Sequence, residues 1–315
     1  MRALVYTRPL TLEVLEVDDP KPADDEVVVD VRAVGICGSE LEGVATQSPF
    51  RVPPLIMGHE FVGVREDTGE TVVVNPMISC AGCDLCDAGY PNICRQRQII
   101  GIHRSGGFAE RVAVPATSCY AVSDLSSPVE HLAASEPVAN AVHAMRLVEE
   151  HIMWPQRVAI IGAGAVGFTL ALVGQLRGLP RVDLCDRVDS RLAWAEVAGA
   201  RAVRDLDHDY DVIFDTVGSS TTRGLSLERL RPGGTAVWVG LHGSGADVDG
   251  QAMIRQEHRV ITTFCYDRRD FQVAVDLMPR LPTGWVDTRP LTDGVEIFTS
   301  LMNAPGEAIK YVLLP

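Results

Sequence analysis

The sequence predicts an α/β protein, with a doubly wound parallel-sheet domain beside a β-rich domain. Two observations carry this. "RVAIIGAGAVGFTLALVGQL" sets an apolar run, a G-x-G-x-x-G and a helical apolar pattern in succession, the order that a strand, a tight turn and a helix require. Before it, strand-like runs such as "GHEFVGV" and "TVVVNP" are joined by "REDTGE", short enough for a β-hairpin with an Asp-Thr-Gly turn. At 315 residues, 46% of them hydrophobic, the chain is long enough for two buried cores.

In order, the β-rich part covers residues 1–137, the βαβ part 138–264, and a further segment 265–315. The opening "MRALVYTRPL" has no basic segment followed by a long apolar stretch, so no secretory signal is expected and a reducing, cytoplasmic setting is the default. The stretch "VAIIGAGAVGFTLALVGQL" has about the length of a membrane span, but its central glycines read as strand, turn and helix. A net charge of −14 argues against nucleic acid, which is gripped by basic surfaces. There is no internal repeat or low-complexity tract.

"CAGCDLCDAGYPNIC", residues 80–94, holds Cys80, Cys83, Cys86 and Cys94. In a reducing compartment such a cluster points to metal before disulfides. Four thiolates close a tetrahedron around zinc and leave no open position, so the lobe reads as a structural staple. The competing metal is an iron–sulfur cluster, whose C-x2-C-x2-C motif usually continues with three residues, a cysteine and proline. Here seven residues precede Cys94, and Arg95 follows it.

A second set of ligand types is dispersed: Cys37 in "GICGSELEG", His59 and Glu60 in "GHEFVG", and Glu136 in "SEPVANAVHA". A thiolate, an imidazole and one or two carboxylates are the composition of an open, catalytic zinc site. A lone Cys37 is more often a small buried residue. Taken with "GAGAVG", "LRPGGTAVWVGL" and "AIKYVLLP", these motifs occur in the order seen in zinc-dependent medium-chain alcohol dehydrogenases, and the chain resembles the polyol and threonine dehydrogenase branch from end to end. The resemblance implies a partly open β-barrel catalytic domain, to which residues 265–315 return, beside a Rossmann domain. It implies two zinc ions per chain, a structural one in the cysteine lobe and a catalytic one on Cys37, His59 and Glu136, with Glu60 as ligand or as exchange partner for bound water. It also implies a homodimer or homotetramer.

Within the glycine motif, Gly162 permits the turn, Gly164 lets backbone approach a pyrophosphate and Gly167 lets helix pack on strand. The strand "RVDLCD" ends at Asp186, about twenty residues on, where a carboxylate bonds ribose hydroxyls. That favours NAD; Arg187 beside it keeps NADP as the lesser expectation. By resemblance Arg191 lies near the adenosine ribose, Val166 backs the pyrophosphate turn, and Val239 to Leu241 approach the nicotinamide. Between "GARAV" and "DVIFDTV" only "RDLDHDY" remains, too short for the usual crossover helix. One face of the sheet is expected to be less covered there.

The implied reaction is hydride transfer between a secondary alcohol and NAD, giving the ketone, with zinc as the Lewis acid. Ser39 is the candidate to take the alcohol proton. Where the family commonly has a histidine five residues after the cysteine, this chain has Glu42, the candidate end of the relay; a solvated helix carboxylate is the plain alternative. Glu40 replaces the family's aspartate, one methylene longer. Cys265 stands where polyol dehydrogenases carry an arginine before the tyrosine, which counts against a sorbitol-like substrate. The expected substrate is a small polar alcohol of the sugar, polyol, cyclitol or amino alcohol class. The other readings are a zinc-free double-bond reductase of the same fold, and an NAD-binding structural or regulatory protein that keeps only the structural zinc.

Overall fold

The computed structural model describes residues 1–152, 155–304 and 306–315. The chain forms two compact units, one of Met1–Glu136 with Asp267–Pro315 and one of Pro137–Tyr266.

The first unit is β-rich. Its main sheet runs in the order Cys119–Ala121, Thr71–Val74, Glu60–Arg65, Glu26–Gly35, Lys310–Leu314 and Val286–Pro290, with Arg111–Pro115 also paired to Glu26–Gly35. The hairpin expected at "REDTGE" is present: Glu60–Arg65 pairs antiparallel with Thr71–Val74, and Gly69 takes φ +72°, the left-handed conformation that such a turn assigns to glycine. Strand Glu26–Gly35 buries Val29, Val31, Ala33 and Val34. Val29, Val31 and Val34 pack with Phe61, Phe108 and Phe298 into one core, where the rings of Phe108 and Phe298 meet edge-on at 5.6 Å. The end of that strand delivers the chain to Cys37, and the start of Glu60–Arg65 carries His59 and Glu60. Both ligand-bearing turns therefore hang from adjacent, fully paired strands.

The second unit is a six-stranded parallel sheet in the order Arg201–Val203, Val182–Cys185, Val158–Ile161, Tyr210–Asp215, Leu230–Trp238 and Arg259–Thr262. Strand order reverses at Val158–Ile161, the switch point of a doubly wound sheet. All four residues of that strand are buried, as are Gly167 to Gly174 of helix Ala165–Leu176. A helix apolar all round belongs in the interior of its own domain. No helix among the described residues is long and apolar enough to cross a membrane.

The short connection after Arg201–Val203 has no helix. Extended, the link from Val203 to Tyr210 reaches roughly 24 Å, and three interstrand spacings take up about 14 Å of it, so a nearly straight run suffices. Leu206 from this link is buried in the core and supplies part of the missing cover. Beside it Arg201 donates twice to the buried Asp183, at 2.8 and 2.9 Å, and the Tyr210 hydroxyl donates to the same carboxylate at 2.7 Å. That fork ties the edge strand to its neighbours.

Candidate metal and dinucleotide sites

The four cysteines of residues 80–94 converge. Neighbouring sulfurs lie 3.5 Å (Cys94–Cys80), 3.6 Å (Cys83–Cys86), 3.8 Å (Cys83–Cys94) and 3.9 Å (Cys80–Cys86) apart. A tetrahedron with zinc–sulfur bonds of about 2.3 Å has edges of about 3.8 Å, so the spacing fits one ion. A polynuclear iron–sulfur cluster would stand between its thiolates and hold them further apart. Backbone N–H groups from Cys80 and Gln96 pull the Cys94 thiol down to about 6, which favours the thiolate a metal needs.

Cys37, His59 and Glu60 form the second cluster, with their ligand atoms all within 4.8 Å of one another. Cys37 caps helix Gly38–Ala45. His59 and Glu60 are buried at the head of their strand. Glu40, from the first turn of that helix, is fully buried behind them and accepts three hydrogen bonds, from Cys37 N at 3.0 Å, Gly58 N at 2.9 Å and His59 Nδ1 at 2.9 Å. The extra methylene of glutamate therefore does not prevent contact. Glu40 fixes the tautomer that leaves His59 Nε2 free for a metal.

The charges show what this cluster lacks. Burial alone would lower the His59 pKa, yet the charges of Glu40 and Cys37 raise it well above the usual histidine value. Lys310, from the strand at the other end of the chain, is likewise buried and pairs with Glu60 Oε2. Burial opposes its charge, and Glu60, Cys37 and Glu136 hold it protonated. Buried carboxylates, a cysteine sulfur and an imidazole are the donor types of a zinc site. Glu136 lies outside the 4.8 Å cluster but acts on Lys310 from the start of helix Ser135–Glu149.

Ser39 donates to Cys37 Sγ at 3.4 Å and accepts from Arg51 Nη2 at 3.0 Å. Glu42, three residues on, is half-buried. Sequence reasoning missed both Arg51 and Lys310. A lysine within the apolar "AIKYVLL" was a readable signal for a buried counter-charge; nothing local marks Arg51.

In the second unit the glycine turn has the geometry the motif requires. Gly162 takes φ +98°. A Cβ on Gly167 would lie 1.7 Å from the carbonyl oxygen of Gly162, so only glycine lets helix and strand approach this closely. Gly164 caps helix Ala165–Leu176, Val166 stands half-buried in its first turn, and the Arg191 guanidinium reaches to 3.9 Å from where a Gly164 Cβ would be. Arg191 Nε is buried without a hydrogen-bond partner. Asp186, at the end of Val182–Cys185, accepts from Ala163 N at 2.7 Å and Val188 N at 2.9 Å; an ionised carboxylate retains acceptor capacity beyond two bonds. Val239 continues the strand Leu230–Trp238, its N–H bonded to Asp215 O at 2.9 Å, and Leu241 is 66% exposed, an apolar side chain presented at the carboxyl end of the sheet. Phosphates and rings of a dinucleotide are held in such places.

Comparison with known proteins identifies the family. Residues 23–124 match the alcohol dehydrogenase GroES-like domain family, and residues 165–280 the zinc-binding dehydrogenase family. An L-idonate 5-dehydrogenase from Vitis vinifera is 31% identical over 84% of this chain and 79% of its own length. A D-altritol 5-dehydrogenase from Agrobacterium fabrum is 30% identical over 68% of each. Among solved structures, one described as a zinc-binding dehydrogenase from Sinorhizobium meliloti, bound to NADP, is 28% identical with a TM-score of 0.89 over 100% of this chain and 99% of that one. The chain is an oxidoreductase that belongs to the zinc-dependent medium-chain alcohol dehydrogenase family.

Proposed function

We propose that the protein oxidises a secondary alcohol of a polyol or sugar acid to the ketone with NAD, or runs the reverse reduction. The observation that carries this reading is the Cys37–His59–Glu60 cluster with Glu40 behind His59, in a chain whose other unit holds a glycine turn of dinucleotide geometry. Cys37 and His59 would hold the catalytic zinc, joined by Glu136. Glu60, paired to Lys310, would stand as the exchangeable ligand. Zinc there supplies Lewis-acid polarisation of the alcohol oxygen. Ser39 would accept a hydrogen bond from that hydroxyl and orient it, the released proton passing on to solvent, and the cysteine lobe would keep a second zinc as a staple.

The substrate class follows the names of the relatives, which act at position 5 of a sugar acid and of a polyol. NAD is the expected cofactor because a 2′-phosphate would meet the Asp186 charge, and because the nearby Arg204 is already engaged by Arg187 O and Asp189. The test is elemental analysis of purified protein together with a screen of polyols, sugar acids, cyclitols and amino alcohols against NAD and NADP. Two zinc ions per chain and NAD-linked turnover are expected. One zinc and no turnover would overturn the catalytic assignment.

A further inference from the structure

Arg51 is 6% exposed; its guanidinium makes no direct ion pair among the described residues, feels the buried Glu40 carboxylate only through its charge, and leaves its Nε buried with no hydrogen bond. Its one side-chain bond goes to the neutral Ser39 hydroxyl, at 3.0 Å. Room for it is built into the helix: a Cβ on Gly43 would lie 2.8 Å from Arg51 Cδ and 2.9 Å from Nη1. Backbone hold comes from Arg51 N donating to Ser48 O at 3.1 Å. A buried, under-satisfied charge threaded past a glycine to one hydroxyl is costly unless that hydroxyl must be held.

We propose that Arg51 is the positioning residue of Ser39. A guanidinium donates and never accepts, so it occupies a lone pair of Ser39 and turns the hydroxyl hydrogen toward Cys37 Sγ, on the metal side. It also closes one side of Ser39: a guanidinium that never accepts passes no proton outward. The proposal rests on the reading that Cys37 holds the catalytic metal.

The test uses protein with cobalt(II) in the catalytic site, in which the Cys37-to-metal charge-transfer band reports a hydrogen bond on that sulfur. Arg51→Met and Ser39→Ala should move the band in the same direction by similar amounts, and the double variant should move it no further, since one interaction is being removed. Gly43→Ala, which displaces Arg51 but keeps its charge, should move it the same way. Turnover should fall about 10- to 100-fold in Arg51→Met with the alcohol KM within about twofold, and millimolar guanidinium should restore part of it. Two metal ions per chain with an unmoved band in Arg51→Met, or shifts that add in the double variant, would overturn the role of Arg51. Wild-type protein that takes up only one metal per chain would instead overturn the metal reading beneath it.

Discussion

Replacing Glu40 by glutamine isolates the support of His59 from its shape. The carboxylate receives three N–H donors, two on Oε1 and one on Oε2. Glutamine has one acceptor oxygen. Turned toward His59 and Gly58, it sets its NH2 against Cys37 N–H; turned the other way, it opposes two donors. The better arrangement leaves one buried N–H unpaired, at a cost of about 1–3 kcal/mol, and removes the negative charge that makes His59 a stronger ligand. Outer support of this kind is worth about 10- to 100-fold in metal affinity or activity, the same range. Two-zinc protein would be dialysed against graded chelator and zinc per chain measured, with NAD-linked kcat followed in parallel. The cysteine-lobe zinc serves as internal control. Glu40→Gln should release one zinc at roughly ten- to a hundredfold lower chelator than wild type, leaving the other unchanged. Identical release of both ions, with kcat within about twofold, would refute the reasoning.

Three further outcomes are expected. Gly167→Ala sets a methyl group against the Gly162 carbonyl and should weaken NADH binding by more than about 100-fold, read by fluorescence of bound NADH, while zinc content stays at wild-type level. Cys83→Ser should take zinc from two per chain to one and lower the thermal midpoint, because structural zinc contributes folding free energy directly. His131 is buried edge-on to Trp285 at 5.4 Å with no well-formed hydrogen bond at either ring nitrogen, and burial lowers its pKa to about 4 against smaller opposing pulls from the Met278 backbone and Glu130. Unfolded, it takes a proton near pH 6.5, so between pH 6.5 and 4 the unfolded chain binds more protons and stability falls with pH, by about 2 kcal/mol at pH 5; denaturant titrations should show that loss missing in His131→Leu.

The parts legible in the sequence are those whose physics is local. The cysteine lobe could be read because four ligands within fifteen residues need only a curling loop to meet, and the glycine turn because each glycine answers a backbone requirement of its own segment. Cys37 and His59 are different. Their meeting depends on how strands Glu26–Gly35 and Glu60–Arg65 pair across a bulge between Val31 and Ala33, which spacing alone does not encode, so ligand type made them weak candidates and family resemblance strengthened them. Arg51 was invisible because its role depends on the space at Gly43, a packing fact. The missing crossover helix was foreseen from length, whereas Leu206 as its partial replacement was not, since one leucine in an acidic run gives no period to read.

The polypeptide order around the second unit has a consequence for biosynthesis. Cys37, His59, Glu60 and Glu136 all precede Pro137–Tyr266, while Lys310 follows it. Until the strand Lys310–Leu314 docks beside Glu26–Gly35, a growing chain carries the proposed ligands without the ammonium that pairs with Glu60. On the proposed ligand assignment, the nascent site is one positive charge poorer than the finished one, so a divalent ion would meet an unopposed Glu60 carboxylate there. Metal capture would then be favoured early, with the strand Lys310–Leu314 restraining Glu60 afterwards.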